Sequence, residues 1–146
     1  MLVYLGGPID PENAHILKHC LEWRNHVKKE LDKAGIGSIN PMRNGNHPIA
    51  GGKLDSIPAP PKSIVARDMM DISQCDIMLV YWPEQSKKRG IGTLMEIGIA
   101  YERGMPIILV DPGSMVYEHP WIQNCVTESY PKLNLAIDSI VEYWGA

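Results

Sequence analysis

Two carboxylates of this chain fall where carboxylates need a reason to be. Glu96 sits in the run Thr93-Leu-Met-Glu-Ile-Gly-Ile-Ala100, which reads as a helix apolar nearly all the way round and packed under the edge of a sheet. Two readings fit it. Thr93 at an N-cap with Glu96 three residues later matches a capping box; alternatively, Glu96 is a nucleophile in the first turn, kept ionised by the helix dipole and free N–H groups. Asp68 follows Ile64 by four residues and precedes Ile72 by four, which places it on the apolar stripe of its helix. Burial there favours the protonated acid, although an acid paired with neighbouring Arg67 fits the same position. Asp71, at the margin of the stripe, is expected to be solvated. One charged and one protonated carboxylate form the pair that glycosidic chemistry uses, one attacking and one donating a proton.

The elements that must hold these groups alternate along the chain. Residues 2–6 form a short apolar run stopped by Gly6-Gly7-Pro8, consistent with a buried strand. A helical pattern follows from Glu12 to Ala34, with Gly35 at its C-cap, then a second short strand over 36–39. Residues 41–62 are proline- and glycine-rich without periodicity; a loop of about 20 residues is usually functional or disordered, and a lid or rim is expected. Ser63 caps the helix that carries Asp68. Residues 76–82 are the clearest strand, the helix of Glu96 runs from Thr93 to about Arg103 before Gly104, and 106–110 form another buried strand. Leu133, Ala136, Ile137, Ile140, Val141 and Trp144 mark a C-terminal helix. Continuous apolar strands alternating with helices predict an α/β fold with a parallel sheet covered on both faces. Such sheets bind ligands at the carboxyl ends of their strands, so the segments 6–10, 83–92 and 111–121 are expected to converge on one site.

Composition bounds what that site can serve. The chain has 146 residues, 45% of them hydrophobic, and a formal net charge of −3, which fits a single domain over 1–146 and argues against a nucleic-acid polymer as partner. Cys20, Cys75 and Cys125 are too far apart for a disulfide framework or zinc ribbon, and a reduced cytoplasmic setting is expected. The N-terminus lacks the basic segment of a signal peptide, and no apolar run reaches the roughly 20 residues of a membrane span. His15 and His19, four apart, lack a third ligand and read as surface residues. Gly6-Gly7-Pro8 is neither a dinucleotide fingerprint nor a P-loop. No metal and no cofactor are expected. Trp82 and Trp121 follow strand ends, where they would stack on a base or pack in a core or interface. Trp23 and Arg24, inside the first helix, receive no chemistry.

Tyr4-Leu-Gly-Gly-Pro8, Arg67-Asp68, Cys75-Asp76-Ile-Met-Leu-Val80, Gly92-Thr93-Leu-Met-Glu96-Ile-Gly-Ile-Ala100 and Met105-Pro-Ile-Ile-Leu-Val110 together resemble the nucleoside 2-deoxyribosyltransferase family, in the right order over most of the chain. The resemblance implies a flavodoxin-like doubly wound sandwich with a mostly parallel, about five-stranded sheet. It also implies a homo-oligomer with shared active sites. It makes Glu96 the nucleophile, Asp68 the proton donor to the leaving base, and Tyr4 the hydroxyl that orients the nucleophile. Substrate contacts fall on Gly6, Gly7, Pro8 and Ile9, on Trp82, Gly90, Gly92 and Thr93, and on Ser114, Met115 and His119 in a loop lent across the interface. The implied partners are a deoxynucleoside or deoxynucleotide and a free nucleobase. One position departs from the pattern. Many transferases carry aspartate six residues before the nucleophile, and the related hydrolases of deoxynucleoside 5'-monophosphates tend to carry serine; here the residue is Gly90. Lys87, Lys88 and Arg89 beside it could meet a phosphate or form a solvated loop. A hydrolase of monophosphates and a nucleotide-sensing module without turnover are the competing readings.

Overall fold

The computed structural model describes residues 1–10, 13–43, 61–86 and 90–145. The expected lid, apart from its ends, and the Lys87–Arg89 cluster lie outside them. Five strands alternate with helices: β1 (Leu2–Gly6), α1 (Ala14–Lys33), β2 (Gly37–Ile39), α2 (Pro61–Gln74), β3 (Ile77–Tyr81), α3 (Ile91–Glu102), β4 (Ile107–Val110), α4 (Pro120–Cys125), β5 (Glu128–Tyr130) and α5 (Leu133–Ser139), with a π-helical turn over Ile140–Trp144. All strand pairs are parallel, in the order β2-β1-β3-β4-β5. This is the flavodoxin-like doubly wound arrangement, whose order reverses between β1 and β3 and opens a crevice at their carboxyl ends.

The sheet is buried on both faces because its central strands carry apolar residues at every position. Val3, Leu5, Ile77, Leu79, Ile108 and Val110 pack with Trp23, Val27 and Leu31 of α1 and with Ala136 and Ile137 of α5. The alternate residues Tyr4, Met78, Val80, Ile107 and Leu109 pack with Ile72 of α2, Ile97 and Ala100 of α3 and Ile122 of α4. Tyr4 and Leu5 therefore face opposite layers. α1 starts where the Asn13 side chain accepts the N–H groups of His15 and Ile16 at 3.1 Å, and ends before Gly35 at φ 72°.

Several expectations need correction. α1 begins at Ala14, two residues after Glu12. α2 begins at Pro61, so Ser63 is inside the helix and caps nothing; proline suits a first turn, where an N–H has no partner. β5 and α4 had no expected counterpart. The sequence of β5, Glu-Ser-Tyr, is polar, and Glu128 explains its place. One oxygen accepts from Tyr130 Oη at 2.9 Å and Ser139 Oγ at 2.7 Å, the other from Trp144 Nε1 at 3.0 Å. A carboxylate thus ties the edge strand to α5 and the π-helical turn. Among the described residues no helix is long and apolar enough to cross a membrane.

Candidate active site

The three segments that follow β1, β3 and β4 lie side by side, as expected. Gly7, at φ 151°, runs so close to β3 that a Cβ there would stand 2.5 Å from the Tyr81 carbonyl oxygen. A Cβ on Gly113 would lie 3.0 Å from Glu84. Behind these segments, Tyr4 is wholly buried on β1 and donates its hydroxyl to Glu96 Oε1 at 2.8 Å. The other oxygen, Oε2, borders Gly6: a Cβ there would come within 3.7 Å of it.

The helix start expected at Thr93 is not where α3 begins. Gly90 is the N-cap, in the left-handed region at φ 53° with no side-chain cap bond, and α3 runs from Ile91. Thr93 is buried in the first turn. Glu96 is the sixth residue of the helix, past the turn whose N–H groups are free. Both sequence readings of Glu96, capping box and helix-dipole stabilisation, are therefore replaced by a third: a carboxyl turned onto a buried tyrosine. Burial pushes Glu96 up to about 7, helped by the charge of Asp68 and opposed by the Tyr4 hydrogen bond and the Arg24 charge. The tyrosine hydroxyl is itself held well above its ordinary range by burial and by the Glu96 and Asp68 charges, so it remains a donor.

Gly90 is required by its neighbour. A Cβ there would meet the Trp82 ring at 2.5 Å, and the left-handed backbone disfavours any other residue. Trp82 is only 2% exposed; it is a wall beneath the β3–α3 connection, and not the exposed platform for a base that its place after a strand allowed. Gly92 is exposed.

Asp68 is half-buried on α2. Arg67 donates to its Oδ1 from Nε at 3.3 Å and Nη2 at 3.1 Å, and Nη2 also reaches the Pro41 carbonyl at 2.7 Å. Burial raises the Asp68 pKa against the pull of Arg67. Burial thus favours the protonated form of both carboxyls, so the expected division, Glu96 charged and Asp68 neutral, does not follow from burial alone. Asp71, expected in solvent, is 4% exposed. Arg43 grips it with two hydrogen bonds, at 2.5 and 3.1 Å, which ties the turn after β2 to α2.

The segment after β4 is organised by a buried carboxylate the sequence reading passed over. Asp111 accepts the N–H groups of Met115, Val116 and Tyr117 at 2.8–2.9 Å, and Ser114 takes φ 49°. Ser114, Met115 and His119 stand exposed, with His119 capping α4; among the described residues their hydrogen bonds stay in that connection. Trp121 is 75% exposed, and Ile91, Met95 and Tyr101 of α3 are also exposed, so α3 is not apolar to serve this chain's core alone. Pro8 is buried and Ile9 partly so. Arg24, given no chemistry from sequence, is fully buried with its guanidinium on the Leu5, Gly7 and Cys20 carbonyls at 3.0–3.2 Å. Its signal was the stripe Cys20, Arg24, Val27, Leu31 at helical spacing. His15 is exposed, whereas His19 is partly buried with its Nε2 enclosed and unpartnered. Among the described residues no group of three His, Cys, Asp or Glu could hold a metal ion.

The chain matches the family described as nucleoside 2-deoxyribosyltransferase like over residues 1–114. No curated protein sequence matches it. Among solved structures it is similar to the 2-deoxyribosyltransferase of Bacillus psychrosaccharolyticus (TM-score 0.67, 19% identity, 98% of this chain and 92% of that one). It is also similar to the CMP N-glycosidase BcmB of Clostridium botulinum (TM-score 0.59, 17% identity, 96% and 97%) and to a conserved protein of Enterococcus faecalis (TM-score 0.67, 15% identity, 96% and 96%). At these identities the likeness is one of fold.

Proposed function

The chain belongs to the nucleoside 2-deoxyribosyltransferase-like family, and on that premise we propose that it cleaves the N-glycosidic bond of a 2'-deoxynucleoside and passes the sugar to another base. The observation that carries the reading is the Tyr4–Glu96 contact: one carboxylate oxygen is held by a hydroxyl at 2.8 Å, while the other borders a glycine and accepts no hydrogen bond among the described residues. Oε2 attacks C1' as the base leaves, forming a deoxyribosyl ester on Glu96. Asp68 gives its proton to the departing purine or pyrimidine from Oδ2, the oxygen Arg67 leaves free. A second base then attacks C1' from the vacated face, with net retention. A 2'-hydroxyl would destabilise the oxocarbenium-like transition state inductively, so the deoxy sugar is the easier substrate.

Turnover requires a proton on Asp68, which burial favours, and the charge on Glu96, which the Tyr4 hydroxyl and the Arg24 cation favour. The exposed Ser114–His119 segment and the exposed apolar residues of α3 and α4 support a homo-oligomer in which that segment reaches a neighbouring copy's sugar.

A second reading, hydrolysis of a nucleoside 5'-monophosphate, is favoured by one feature. The Trp82 ring leaves no room for a side chain at Gly90, so no acid stands there to repel a phosphate, and BcmB is a CMP N-glycosidase. Chromatography separates the readings. Deoxyadenosine with cytosine yields deoxycytidine and adenine if the chain is a transferase; faster base release from the 5'-monophosphate, without exchange, identifies a hydrolase. No product from any deoxynucleoside, monophosphate or base would refute both.

A further inference from the structure

Arg24 is an arginine where an apolar residue would complete the stripe of α1. Burying a guanidinium costs several kcal/mol unless its donors are met. Here three of its five donors reach carbonyls: Leu5 from Nε at 3.2 Å, Gly7 from Nη2 at 3.0 Å and Cys20 from Nη1 at 3.0 Å, with the Trp23 ring 4.3 Å from the guanidinium carbon. Leu5 and Gly7 flank Gly6, the residue against which Glu96 Oε2 lies. From the α1 layer, therefore, Arg24 clamps the backbone on both sides of the site's glycine, while Glu96 approaches the same glycine from the α3 layer.

We propose that Arg24 is a positioning residue for the attacking carboxylate: it fixes the β1 terminus beneath Glu96 Oε2 and supplies a buried countercharge across that strand end. The assignment rests on the glycosidic reading for its catalytic meaning, not for its geometry. Burial draws the guanidinium down to about 10, so it stays charged at neutral pH. The influence is mutual, since Glu96 favours the charged arginine and Arg24 favours the charged carboxylate. Among the described residues, the other groups that bear on Glu96 are Tyr4 from β1 and Asp68 from α2, and Arg24 alone brings a positive charge.

The test titrates the Glu96 carboxyl by carbon NMR in the full chain and in Arg24→Met and Arg24→Lys, alongside kcat/KM for base release against pH. Arg24→Met should raise the Glu96 midpoint by about half a pH unit or more, and the acidic limb with it, so that activity falls at least about threefold further at pH 6 than at pH 9. Arg24→Lys should restore the midpoint but not the full rate, because one ammonium cannot hold both carbonyls as the planar fork does. An unmoved midpoint in Arg24→Met, with activity and Tm falling uniformly at every pH, would overturn the proposal. Should Arg24→Met fail to fold, Arg24→Gln, which keeps a donor, carries the same titration. The NMR reading needs no turnover: the expected shift in a chain that releases no base would sink the glycosidic reading and leave the role of Arg24 standing.

Discussion

Glu96 and Glu128 are both carboxylates set among hydroxyl and ring donors, and they have been treated in opposite ways. Glu128 receives three hydrogen bonds, from Tyr130, Ser139 and Trp144. Burial pushes its pKa up, but those bonds outweigh burial and hold it below the ordinary range. Glu96 receives one among the described residues, from Tyr4, and burial wins, lifting it to about 7. A carboxylate that joins elements is saturated with donors. One with a single donor in a low-dielectric place is poorly solvated and stays reactive. Deeper burial and fewer donors together separate Glu96 from Glu128.

The largest effect should come from removing the Glu96 carboxylate. Glu96→Ala is expected to lower base release by about a thousandfold or more, and base exchange measured by chromatography checks it; retention of a tenth of the activity would mean that Glu96 is not the nucleophile. The same residue should be a burden on the fold. Its folded pKa stands above the unfolded value, so the folded state binds more protons between pH 4.5 and about 7, and stability falls as pH rises through that window. Glu96→Gln should therefore stabilise the chain by roughly 2–3 kcal/mol at pH 8 and by little at pH 4, read from urea unfolding at both pH values. An equal effect at the two would show that the carboxyl is not held in an unfavourable charged state.

How legible this contrast was in the sequence depended on whether a residue's partners were local. β1, β3 and β4 were readable because strands buried on both faces must be continuously apolar. α1 was readable because its stripe repeats at helical spacing and Gly35 stops it. The flavodoxin-like order, which sets the switch point between β1 and β3, was implied by the resemblance and not by that pattern. β5 was invisible: a three-residue polar edge strand owes its place to Glu128 and its partners on α5 and the π-helical turn, contacts between elements that no periodicity encodes. The start of α3 was misread for a related reason. Thr93 and Glu96 fit the local rule for a cap, but the Trp82 ring and the left-handed Gly90 decide where the helix begins. Glu96, Asp68 and Tyr4 were singled out by apolar context and by resemblance. That Tyr4 touches Glu96 across 92 positions of sequence, and that Arg24 lies under the same glycine, took coordinates.

Tyr4→Phe brings the comparison to its mildest catalytic form, removing the one donor and leaving the carboxylate. A hydrogen bond to a charged group contributes about 1.5–3 kcal/mol, so a loss of about 10- to 100-fold in kcat/KM at neutral pH is expected. Because that bond lowers the Glu96 pKa, its removal should also carry the acidic limb above pH 7. A uniform loss at all pH values would argue that the hydroxyl only fills space.

The smallest effect tests the other half of the contrast. In Glu128→Gln one oxygen can still accept from Trp144 Nε1, and the new amide can donate to the Tyr130 and Ser139 hydroxyls, which are able to reverse their role. The change therefore replaces charge-assisted bonds by neutral ones without orphaning a donor, a loss of about 1 kcal/mol. Its pH dependence must have the opposite sign to that of Glu96→Gln. The folded pKa of Glu128 lies below the unfolded value, so its stabilisation is present above the ordinary carboxylate range and disappears as pH falls through the folded value. Chemical unfolding should find the variant weaker than the parent at pH 7 and the gap narrowing as pH falls, with base release unchanged at neutral pH because, among the described residues, Glu128 bonds only within β5, α5 and the π-helical turn. If instead both glutamine variants shift stability in the same direction with pH, the balance of burial against donors is not what distinguishes a joining carboxylate from a reacting one in this fold.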